Sequence, residues 1–128
     1  MADKPDNPWW TKGDTLWGGE TFEATKESTT IGVKVGDRFR VEKKPTAIYL
    51  IPDPANTGSW DKSQNKDHPI KLTRVPRKRN KRAFSMTVKF QGGRTQTLFV
   101  VERENRSVAI TDNVDNPEQN GGTASVRR

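Results

Sequence analysis

The chain predicts an all-β fold: a small antiparallel β-barrel, OB-like or SH3-like, or a compact sandwich, with an irregular N-terminal arm and a flexible C-terminal tail. Short runs alternate apolar and polar residues, most plainly where Phe84, Met86, Val88 and Phe90 alternate with Ser85, Thr87 and Lys89. Gly-, Asn-, Asp- and Pro-rich stretches separate these runs at turn-like intervals. No stretch holds an apolar i, i+3, i+4, i+7 face for three turns, so helix has little support. A length of 128 residues suits one domain and is too short for two full-sized cores.

Residues 1–28 read as the irregular arm. Pro5, Pro8, Gly13, Gly18 and Gly19 break any period, and six acids outweigh three bases. Three of the four tryptophans, Trp9, Trp10 and Trp17, lie in it. Each is a large apolar surface that gains by burial, so the arm either closes one end of the domain or engages a partner, a base or a neighbouring subunit.

Residues 29–112 form the expected barrel domain. Ile31, Val33 and Val35 alternate, and Phe39 and Val41 resume the alternation after Gly36-Asp37, a step that predicts a tight turn or a bulge. Thr46 to Ile51 gives the next strand. Residues 52–69 form a long loop with Trp60 inside it, which either pins the loop to the body or offers an exposed aromatic. Residues 70–75 alternate again, and Pro76 suits a strand end. Gly92-Gly93 predicts a hairpin between the strand of Phe84 and that of 95–102. The latter is apolar on both faces at Leu98 to Val101, as in a strand covered on both sides. Ser107 to Thr111 returns as a short strand. The expected total is five to seven strands. Residues 113–128 hold few apolar side chains and read as the flexible tail.

Charge is the functional signal. Lys71, Arg74, Arg77, Lys78, Arg79, Lys81 and Arg82 fall within twelve residues that contain no acid. Without these seven, 16 bases remain against 16 acids, so the run accounts for the whole formal charge of +7. A balanced chain with one basic corner attracts polyanions, and arginine forks grip phosphate oxygens bidentately. The site expected from sequence is therefore these seven residues with Lys89 extending the patch and Trp60 stacking on bases. It predicts a non-catalytic nucleic-acid-binding protein, for DNA or RNA, with low sequence specificity. The alternative is a structural or inhibitor-type protein that uses Trp9, Trp10 and Trp17 for a protein partner or self-association and sets its basic loop against an acidic surface.

Enzyme chemistry finds less support. His68 is the single histidine, and a nuclease built on His68, Glu102 and nearby arginines is a weaker third reading. The absence of cysteine removes thiolate sites and disulfides. Asp53, Asp61 and Asp67 share one loop without the spacing of a calcium-binding loop, so neither metal nor cofactor is expected. The first ten residues lack an apolar run of signal-peptide length, which points to a cytoplasmic or virion-associated protein, not a secreted or membrane one. The general composition suits a phage or mobile-element protein.

Overall fold

The computed structural model describes residues 21–75, 83–103 and 107–126. Eight strands lie among the described residues: β1 (Thr21–Lys26), β2 (Arg38–Lys43), β3 (Ile48–Pro52), β4 (Ile70–Val75), β5 (Ala83–Lys89), β6 (Thr95–Arg103), β7 (Ser107–Thr111) and β8 (Gly122–Val126). They follow one another around a closed antiparallel barrel, with β8 returning to β1. The barrel expectation holds and the sandwich alternative does not. Closure gives every strand a partner on both sides over part of its length, so no whole strand is an open edge.

Alternation builds the interior. Phe22 and Ala24 of β1, Phe39 and Val41 of β2, Leu50 of β3, Ile70 and Leu72 of β4 all point inward and are buried. Phe84, Met86, Val88, Leu98, Val100, Val108, Ile110 and Ala124 complete the set from β5 to β8. A void lined by Phe22, Phe39, Val41, Leu50, Val100, Val108, Ile110 and Ala124 measures about 10 Å³. That is barely one water, so the side chains fill this part of the lumen and leave no room there for a ligand.

Both termini of the expected domain need correction. The arm assigned to 1–28 contains β1, and the tail assigned to 113–128 contains β8, so the barrel runs beyond 29–112. β8 pairs with β1 through Phe22↔Val126 and Ala24↔Ala124, and with β7 through Val108↔Ala124 and Ile110↔Gly122. Its inward positions are Gly122, Ala124 and Val126; Ala124 faces Ala24, and Val126 packs against the core opposite Phe22. The small residues at the first two positions leave the lumen to the large rings of Phe22 and Phe39, so β8 has a single large apolar side chain as its signature. Residues 1–20, including Trp9, Trp10 and Trp17, lie outside the described residues.

Ile31 to Val35 is also not a strand. Ile31 and Val33 are buried, with an isolated bridge between Ser28 and Val33, whereas Val35 is 57% exposed. The Asp37 amide donates to the Lys34 carbonyl (3.0 Å), closing a turn with Gly36 at φ +94°. The Gly36-Asp37 step is thus a turn that precedes β2.

Antiparallel order sorts the connections by end. The loops 27–37, 53–69, 90–94 and 112–121 lie at one end, here the upper. β2 and β3, β4 and β5, β6 and β7 are joined at the other, the lower. Trp60 plugs the upper end: it is buried, its ring tilts against Phe39 at 5.1 Å between centroids, and its Nε1 donates to the Ile31 carbonyl at 2.8 Å. A smaller apolar cluster lies on the outside of the barrel, where Val75, Ala83, Phe99, Val101, Ala109 and Val114 meet. It covers the outer side of β6, as the two-faced apolar run at Leu98 to Val101 requires.

Candidate nucleic-acid interface

At the lower end the strands are staggered. β3 begins at Ile48, which faces Leu72, while β4 continues through Thr73 and Arg74 to Val75. The β2–β3 turn and the projecting half of β4 therefore form the two walls of a groove of about 550 Å³. Lys43, Lys44, Pro45, Thr46, Ala47 and Ile48 line one wall, and Lys71, Leu72, Thr73 and Arg74 the other, with Phe84 also in the lining. Lys43, Lys44, Lys71 and Arg74 are all exposed, and no carboxylate is among the described residues of the lining. Glu42 approaches from outside to 3.8 Å of the Lys44 Nζ, an exposed pair that solvent largely screens. Four cations with no lining acid give the groove a positive potential.

The loops that leave the opposite end are acidic on balance: they contain Glu27, Asp37, Asp53, Asp61, Asp67, Asp112, Asp115 and Glu118 against Lys34, Lys62, Lys66 and Arg94. Glu118 reaches back along the barrel, where its carboxylate pairs with Arg103 at the lower end of β6. β4 and β5, the strands that residues 76–82 connect, open at the lower end. Charge is therefore biased along the barrel axis, although Glu102 and the Arg103–Glu118 pair stand near the lower end of β6. A second groove, of about 440 Å³, runs between β2 and the 53–69 loop. It mixes Arg38, Arg40 and Lys66 with Asp53 and Asp67, and Arg38 is held by Glu23 at 3.5 Å, so it has no comparable sign.

Of the residues expected from sequence, Lys71 and Arg74 meet in the lower groove. Arg77, Lys78, Arg79, Lys81 and Arg82 lie outside the described residues. Lys89 does not extend the groove. It is four residues up β5 from Ser85, the partner of Thr73, a rise of about 13 Å, and its backbone is engaged at the upper end by the Gln64 side chain. Trp60 is 6% exposed with its indole N–H bonded, so its ring offers no face to a base. Its role is the other one open to it, pinning the loop, because burying so large an apolar surface outweighs leaving it in water. Lys43 and Lys44 were hidden from sequence reasoning. They stand nearly thirty residues from the basic run, and only the β3–β4 pairing brings the two together.

The 53–69 loop is a structural cap. The Asp37 carboxylate, 3% exposed, accepts from the amides of Lys34 (3.0 Å), Thr57 (2.9 Å) and Gly58 (3.1 Å). Asn56 bonds both backbone groups of Arg38, and Gln64 does the same for Lys89, so two side-chain amides extend the ladder as a strand would. Asp53 and Asp61 each accept the amide two residues on, as turn formers do. Hydrogen bonds from the Ser63 amide and hydroxyl hold the Asp61 carboxyl below its ordinary value, with Lys89 adding to the effect. No group of three or more metal-ligating side chains occurs among the described residues. His68 sits in this upper loop, whereas Glu102 is buried near the lower end of β6, so the pair weighed for nuclease chemistry stands at opposite ends of the barrel. In comparisons with known proteins, no family model, no curated protein and no solved structure matches this chain.

Proposed function

We propose that the protein binds nucleic acid without catalysis and with low sequence specificity, gripping phosphates at the lower end of the barrel. The observation that supports this reading is the convergence of Lys43, Lys44, Lys71 and Arg74 on one acid-free groove. One of its walls, β4, leads in sequence into the run Arg77, Lys78, Arg79, Lys81 and Arg82. Cations held by strand ends are positioned before the ligand arrives, so binding orders fewer side chains than a loose tail would. Phosphate contacts set affinity and register without reading sequence.

A gel-shift panel with single-stranded DNA, duplex DNA and RNA at two salt concentrations tests the reading. The quadruple variant Lys43→Ser, Lys44→Ser, Lys71→Ser, Arg74→Ser removes exposed charge and should retain the melting curve within a few degrees. Its affinity should drop at least tenfold, with a flatter dependence on salt. Unchanged affinity would remove the groove from the function. Failure of the intact protein to bind any of the three probes would return the basic end to an acidic protein partner.

A further inference from the structure

We propose that the groove takes a single strand, not a duplex, and that Tyr49 stacks on one of its bases. This rests on the nucleic-acid reading above and names the ligand class within it. Tyr49 points outward from β3, partly exposed, directly across from Lys71 on β4. Side chains so paired have Cβ atoms about 5 Å apart. A base lying on the Tyr49 ring therefore leaves its phosphate within reach of the Lys71 ammonium, and Lys71 also lines the groove. On the other side of Tyr49, across β2, Glu42 is drawn toward Lys44.

The other described aromatic rings are not placed for this. Phe22, Phe39, Trp60, Phe84 and Phe90 are buried, and Phe99 belongs to the outer cluster three strands away. A partly exposed ring across from a groove-lining cation is a pairing that single-stranded nucleic acid can use: every base has a π-face, and an unpaired base can turn out to present it. In a duplex both faces of each base are already stacked. The groove's 550 Å³ is also of the size that takes a small ligand, enough for about one or two nucleotides.

The experiment compares oligothymidylate, oligouridylate and a DNA duplex of matched length against Tyr49→Ala and Tyr49→Phe. Tyr49→Ala should weaken binding to the single strands about tenfold with the salt slope unaltered, since stacking releases no counterions. Tyr49→Phe keeps the ring and should bind nearly as wild type. Because Tyr49 is the single tyrosine, its ring resonances are identifiable by NMR, and they should move upfield as oligothymidylate is added. The ratio between the thymidylate and uridylate arms assigns the strand as DNA or RNA. Equal single-strand affinity for wild type and Tyr49→Ala, or stationary ring resonances, would overturn the stacking role. If the quadruple groove variant still lost binding, phosphate gripping would stand without it. Tighter binding of the duplex than of either single strand would overturn the ligand class.

Discussion

Asp37 and Trp60 hold the upper loop by different physics, and their substitutions should separate the two. Asp37→Ala leaves the amides of Lys34, Thr57 and Gly58 without their acceptor, one of them fully buried. Lost charge-assisted bonds of this kind cost about 3 kcal/mol or more, to be read as a lower urea midpoint at unchanged m-value. Trp60→Ala should cost about 3–5 kcal/mol through the cavity it leaves over Phe39, while nucleic-acid affinity measured below the transition stays as wild type. A change in affinity without a change in stability would restore Trp60 to the binding surface. Gly58→Ala is a third probe. A Cβ there would stand 2.1 Å from the Gly32 carbonyl oxygen, which is backbone and cannot swing aside. It should therefore destabilise strongly, although alanine is a mild change elsewhere in a loop.

Among the strands, β8 decides whether the barrel is closed. Removing residues 122–128 breaks its pairing with both β1 and β7 and exposes the inward faces of Phe22, Val108 and Ile110. Loss of a cooperative thermal transition is the expected outcome. A melting temperature close to that of the intact chain would mean that seven strands suffice and that the segment is dispensable. A milder test is Ala124→Leu. Ala124 is wholly buried against Ala24, so the larger side chain should overpack the seam by about 1–3 kcal/mol. The proposed groove depends in the same way on the staggered meeting of β3 and β4. The stagger leaves the lower half of β4 without a β3 partner, and there the groove forms.

Across the whole molecule, the cations of the lower groove should orient the approach of a polyanion. With four to six cations in contact, the logarithm of the binding constant should fall against the logarithm of salt with a slope of about −3 to −5. Replacing Arg77, Lys78, Arg79 and Lys81 by Ser should flatten that slope by several units. Removing exposed acids from the other upper loops, for example Glu27→Gln with Asp67→Asn, should leave the slope as it is, because the 27–37 and 53–69 loops stand at the far end. A slope near zero in the intact protein would mean that phosphate contacts contribute little to any binding observed.

The sequence by itself determined the fold class and most of the strands, and it shows where positive charge clusters. Alternation in 84–90, the two-faced run at Leu98 to Val101 and the Gly92-Gly93 hairpin follow from local chemistry, and so does the clustering of charge. Tertiary structure decided what local chemistry leaves open. Thr21–Lys26 and Gly122–Val126 are strands because each finds the other, and a seam of Ala24, Gly122 and Ala124 has too little apolar bulk to announce itself. Ile31 and Val33 alternate like a strand yet fill the barrel mouth from a turn. Trp60 is part of the core because Ile31, Phe39 and Phe90 close around it from distant segments. Lys43 and Lys44 join Lys71 and Arg74, and Tyr49 comes to lie beside Lys71, only through the register of β3 on β4. Register is a property of paired strands, and no single run of residues contains it.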